Sequence, residues 1–147
     1  MRQSTPVRFL LALLLISAGC SGYKSSGGKK EPDIGPDVET VNSPVDLYRA
    51  STELANALAD VLAEIKDKDS ASKAEPKLDL LNRKAKILAA KSKELPLDPQ
   101  QQQRLEQQFK ADTDKASRRI EEERRRIKAN PELAKLLADM NLKQLLE

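Results

Sequence analysis

Residues 43–66, SPVDLYRASTELANALADVLAEIK, carry the reading on which the fold rests. Leu47, Ser51, Leu54, Leu58, Val61 and Ile65 follow one another at steps of four and three. That spacing places them in one stripe along a helix and predicts a helix over about 44–66. Ser43 stands directly before Pro44. A short oxygen-bearing side chain can accept from the free N–H groups of the first turn, and proline at the first helical position has no N–H to leave unpaired. The same pair recurs as Asp98-Pro99 and Asn130-Pro131, which marks two further helix starts. After Gly35 there is no glycine, and Ala, Leu, Lys, Glu, Gln and Arg dominate, as expected of helices.

Working outward, the polar break Asp67-Lys68-Asp69-Ser70 turns the chain, and a second helix is predicted over about 71–94. Its stripe is Ala74, Leu78, Leu81, Ala85, Leu88 and Leu95, widened by Leu80 and Ile87. Ser72 and Glu75 have the spacing of a capping box, although Pro76 blurs the start. The short loop Leu95-Pro96-Leu97 predicts that helices two and three are antiparallel neighbours. The third helix, about 99–129, has only a thin seam of Leu105, Phe109, Ala116, Ile120 and Ile127. Near its end, Glu121 and Glu122 stand four residues before Arg125 and Arg126, the favourable order for helical ion pairs. Its outer half has little to bury and is expected to project as a charged arm or to pair with another chain. A fourth helix, about 131–146, carries Leu133, Leu136, Leu137, Met140 and Leu145. The fold class is therefore all-α: an antiparallel bundle of three long helices plus a short C-terminal helix, after a disordered N-terminal linker. The bundle occupies 43–147, enough for one modest core.

Upstream, residues 21–42 hold four glycines and two prolines with no apolar period, and read as a flexible tether. Lys24, Lys29 and Lys30 either touch anionic headgroups or are plain spacer charge. Further upstream, Arg2 and Arg8 flank a positive head, and Phe9 to Ile16 is an unbroken apolar run. Eight helical residues span about 12 Å, too short to cross a bilayer. The run therefore reads as the core of an export signal. Leu15-Ile16-Ser17-Ala18-Gly19-Cys20 follows, and it resembles the lipobox of bacterial lipoproteins. Ser17 departs from the commonest pattern, which has Leu at that place. The resemblance implies removal of residues 1–19 by cleavage between Gly19 and Cys20, a diacylglyceryl group on the Cys20 thiol, and usually an acylated new amino terminus. It covers about 21 residues and says nothing of the remaining chain. The other reading is an ordinary secretory signal with a chance cysteine. Against it, Cys20 is the only cysteine in the chain and stands at the expected cut. Ser21, where Asp would signal inner-membrane retention, favours the outer membrane in a cell that has one. Two or three acyl chains make a firm tether where one does not.

The chain has no histidine, so the commonest general base and metal ligand are missing. Lipid on Cys20 would consume the one thiol. No phosphate-cradling glycine loop or nucleophile elbow appears. We expect no cofactor, no metal and no enzyme activity; a hydrolase using surface carboxylates is a remote alternative. Without Arg2 and Arg8, 24 basic side chains face 23 acidic ones, which argues against nucleic acid. The leading expectation is a non-catalytic interaction or structural module of the cell envelope. Phe109, Ile120, Arg124, Arg125 and Arg126 are its candidate partner-binding residues, and another envelope protein or a second copy its partner. The alternative is a self-associating spacer at the membrane or cell-wall surface. Small helical lipoproteins that join peptidoglycan covalently do so through a C-terminal lysine. This sequence ends Lys143-Gln144-Leu145-Leu146-Glu147, so covalent attachment is not expected.

Cells given radiolabelled palmitate are expected to label the wild-type chain and not Cys20→Ser, whose product should also keep the uncut length on a gel. Equal label in both would end the lipid assignment.

Overall fold

The computed structural model describes residues 33–140 and Leu142. Four helices make up the body: α1 (Pro44–Glu64), α2 (Lys68–Glu94), α3 (Pro99–Lys128) and α4 (Pro131–Asp139). The three proline starts are capped as the sequence implies. Ser43 Oγ accepts from the Asp46 N–H at 3.2 Å, Asp98 Oδ1 from Gln101 at 2.8 Å, and Asn130 Oδ1 from Glu132 at 3.1 Å. The start of α2 differs from expectation. Its cap is Asp67, whose carboxylate accepts from the Ser70 N–H at 2.8 Å while the Ser70 hydroxyl accepts from the Asp67 N–H at 2.9 Å. This reciprocal pair forms five residues before the expected one, because a two-residue turn after Ile65 already reverses the chain. Pro76 then lies inside α2. The backbone carbonyl that it leaves without a donor belongs to Ser72, which is exposed.

The expected stripe of α1 is buried along its whole length, from Leu47 to Ile65. A second stripe, Tyr48, Thr52, Ala55, Ala59 and Leu62, is buried as well. Helix α1 therefore packs on two sides, against α2 through one stripe and α3 through the other, and is the centre of the bundle. Among the described residues helices α2 and α3 bring no Cα atoms within 8 Å of each other, which corrects the expectation that they are packed neighbours. The side-chain contacts Tyr48 to Phe109, Thr52 to Thr113 and Asn56 to Arg119 keep a nearly constant offset, so α1 and α3 run parallel. The up-down-up order is preserved, with the first helix in the middle.

Helix α4 packs on α3 and, more lightly, on α2. It stops at Asp139, short of the expected end near Leu146. The Leu142 N–H donates to the Leu137 carbonyl at 2.7 Å and the Leu142 side chain is buried. That backbone closure, with its apolar contact, ends a helix. Leu145 lies outside the described residues.

The N-terminal linker was expected to run to residue 42. Its last part, 33–42, is instead laid on the bundle. Pro36, Val38 and Val41 are buried, and Val38 and Val41 belong to the main core. Apolar residues too sparse to show a period here find a groove already made by α1 and α2. Gly35 takes a left-handed backbone, φ 74°, and a β-carbon there would meet Leu81 Cδ2 at 3.2 Å.

Leu58→Ala, at the middle of α1, is expected to lower unfolding free energy by about 2–5 kcal/mol. Val45→Ala, the one large apolar side chain exposed among the described residues, should change it by less than about 0.5 kcal/mol. Urea titrations of both variants check the contrast.

Candidate functional site

Polar residues on the narrow exposed edge of α1 recur at Arg49, Glu53, Asn56 and Asp60, the steps that remain once the two buried stripes are taken out. On α3 the matching edge is Asp112, Lys115 and Arg119. Because the helices meet deeper down, these edges stand apart and leave an open groove of about 440 Å³ between them. Thr52 forms its floor, with its hydroxyl 3.5 Å from that of Thr113. One end is closed by Arg119, which donates to Asn56 Oδ1 at 3.0 Å and pairs with the Asp60 carboxylate. The other end is walled by Phe109, whose ring lies 5.8 Å from that of Tyr48 at a 31° tilt.

Charge inside the groove is not matched internally. Arg49 reaches only Asp46 on its own helix, at 3.5 Å. Glu53, Asp112 and Lys115 make no ion pair among the described residues, although the seam just above pairs Arg119 with Asp60. An aromatic wall beside unpaired charges of both signs suits a polypeptide surface carrying the opposite pattern. Behind Phe109, burial and the nearby Glu106 carboxylate push the Tyr48 phenol up to about 12. Elsewhere, the Ser70 N–H and hydroxyl hold the Asp67 carboxyl below its ordinary value, which fits its capping role. The ion pair with Asp69 raises Lys73. Among the described residues there is no group of three or more His, Cys, Asp or Glu side chains placed to hold a metal ion, and no helix long and apolar enough to cross a membrane.

The residues expected to bind a partner are not gathered in one place. Phe109 is half-buried at the groove end. Ile120 is only 2% exposed and packs in the core, so the seam expected to be open is closed by α1. Arg124 is 6% exposed, its Nε without a hydrogen-bond partner and Nη1 3.6 Å from Glu121. Arg126 donates from Nη2 to the Leu62 and Ile65 carbonyls, both at 2.9 Å, and so satisfies the end of α1. Arg125 is exposed, and Arg126 is exposed as well although its guanidinium reaches the end of α1. The ion pairs expected at four-residue spacing form at three instead, Glu121 with Arg124 and Glu123 with Arg126. For Arg126 the reason is visible: the Leu62 and Ile65 carbonyls at the end of α1 draw its guanidinium to that side of α3. Gly19 and Cys20 lie outside the described residues. Among the groove residues, Arg119 stands out in the sequence only as part of an arginine-rich run, and Arg49, Glu53, Asn56, Asp112 and Lys115 do not stand out. Their steps of three and four were visible, but not that α1 and α3 are partners.

No protein-family model, curated protein or solved structure matches the chain.

Tyr48 supplies a pH test. Its folded value lies above the ordinary 10, so its contribution is whole below pH 10 and is lost as pH rises from 10 to about 12. Wild-type stability is expected to fall across that interval by up to about 2 kcal/mol more than that of Tyr48→Phe. Guanidinium titrations at pH 9 and pH 12 would show it, and parallel curves would mean that the phenol is not desolvated.

Proposed function

We propose that this chain is the precursor of a lipid-anchored bacterial envelope protein whose helical body is a non-catalytic docking module, with a partner protein seated in the α1–α3 groove. The observation that carries the docking part is the open groove with Phe109 at one end and Glu53, Asp112 and Lys115 left unpaired along it. Charges that stay unpaired at a helix seam cost little in water and give orientation when a complementary surface arrives. The anchoring part rests on the run ending at Cys20 and its likeness to a lipobox. Cleavage there would leave Cys20 as the first residue, attached to lipid, and Ser21 favours the outer membrane where a cell has one.

The structure bears on how far such a body would stand from its membrane. The packed segment begins at Ile34, fourteen residues after Cys20. At 3.3–3.6 Å per residue these span at most about 50 Å, so the groove would work close to the lipid surface.

Photo-cross-linking in cells, with the probe at Asp112, tests the docking reading. A discrete product with another envelope protein, lost on Phe109→Ala and on Lys115→Glu, is the expected result. A product of two copies of this chain would favour the self-associating spacer. Absence of any product, with the protein present at normal level, would overturn the groove as a docking site.

A further inference from the structure

Residues 34–41 are held to the body in a way that differs from the other joints among the described residues. They form neither helix nor strand. Among the described residues none of their backbone N–H groups donates to the helices. Four hydrogen bonds to the body, among the described residues, come from two lysines one heptad apart on α2. Lys84 Nζ donates to the carbonyls of Ile34 at 2.7 Å and Pro36 at 2.9 Å. Lys91 Nζ donates to those of Glu39 at 2.9 Å and Val41 at 3.0 Å. The segment bends on itself between these hooks, with the Thr40 hydroxyl donating to the Asp37 carbonyl at 2.9 Å. Below it lie Leu54 and Ala57 of α1 and Leu81 of α2. Apart from fraying ends, helices open in cooperative units of many backbone bonds. A segment held by two side-chain hooks and a few apolar contacts can open by itself.

We propose that residues 34–41 are a releasable strap, which lifts off the α1–α2 groove as a unit while the helices stay folded. Its direction gives the release a trigger. Along the described residues the chain runs from Ile34 through Ser43 into α1, so tension entering at Ile34 would meet the Lys84 hook first, then Lys91, before α1. Pull on the N-terminal tether therefore uncovers Leu54, Ala57 and Leu81 without unfolding the bundle. The pulling step, unlike the opening itself, rests on the lipid-anchor reading above.

Thiol labelling tests the opening on the full-length chain carrying Cys20→Ser, so that each introduced thiol stands alone. Val38→Cys places it under the strap; Ala59→Cys on α1 and Ala85→Cys on α2 place it in the core, where both parent residues are 0% exposed. Circular dichroism confirms that each variant is folded. The strap thiol is expected to react at least about a hundredfold faster than either core thiol, at a rate insensitive to low urea. Lys84→Met with Lys91→Met should speed it further and leave the core thiols unchanged. Equal rates at all three sites, rising together with urea, would overturn the strap. For the trigger, a handle on the Cys20 thiol of the unlipidated chain is pulled against the C-terminus. A first short extension, under about 30 Å, should precede bundle unfolding. A single unfolding step would remove the trigger and leave the labelling result standing. Failure of palmitate labelling at Cys20 would remove the anchor and touch neither measurement.

Discussion

Helix α1 is buried on two sides, and the remaining structure is arranged around that fact. Its Leu-rich stripe faces α2, and its stripe of Tyr48, Thr52, Ala55, Ala59 and Leu62 faces α3. Small side chains on the second side let α3 approach closely enough to exclude water with few large apolar residues of its own. That is why a helix of 30 residues with only Leu105, Ala116, Ile120 and Ile127 as buried apolar positions stays packed and does not project. A third helix laid on α2 would have met the already occupied strap groove and the lysine-rich side of that helix.

The same arrangement decides what the arginines do. On sequence alone the Arg124–Arg126 run looks like a solvent-facing or partner-facing patch. In the fold, Arg126 completes the hydrogen bonds at the end of α1, and Arg124 is enclosed beside Ile120 and Ile127. Removing guanidinium groups from water is costly, and the unpartnered Nε of Arg124 shows that the cost is not fully offset there. Solvent-facing charge without an ion-pair partner among the described residues lies elsewhere, along the groove where the two parallel helices part. Their contact is deepest through small residues, so the longer polar side chains above it are held apart and keep their charges open to solvent.

The strap and the groove lie along different edges of α1, one sealed and one open. Each has a physical reason. Toward α2 the surface is apolar enough to hold Pro36, Val38 and Val41 without backbone pairing. Toward α3 the edge is charged, and a segment laid there would have to desolvate Glu53, Asp112 and Lys115. A body with one side closed by its own chain and the other left free has a natural orientation relative to whatever holds its N-terminus.

Much of the helical plan is set by local chemistry, which sequence carries in full. The three Ser, Asp and Asn caps before proline, the stripe from Leu47 to Ile65 and the turn at Asp67 follow from backbone groups needing partners within a few residues. Hence the all-α class, the helix count and most boundaries were legible. The lipobox-like run before Cys20 is likewise a local pattern, read by position and not by folding. Three things depended on tertiary structure. Which helix occupies the centre turned on a second stripe built of Ala and Thr, whose burial gives no strong apolar signal. Residues 33–42 looked like tether because their few apolar side chains gain burial only from a groove made by distant residues. The α1–α3 groove exists only because α1 and α3, some sixty residues apart, run side by side, and no short-range spacing encodes that pairing.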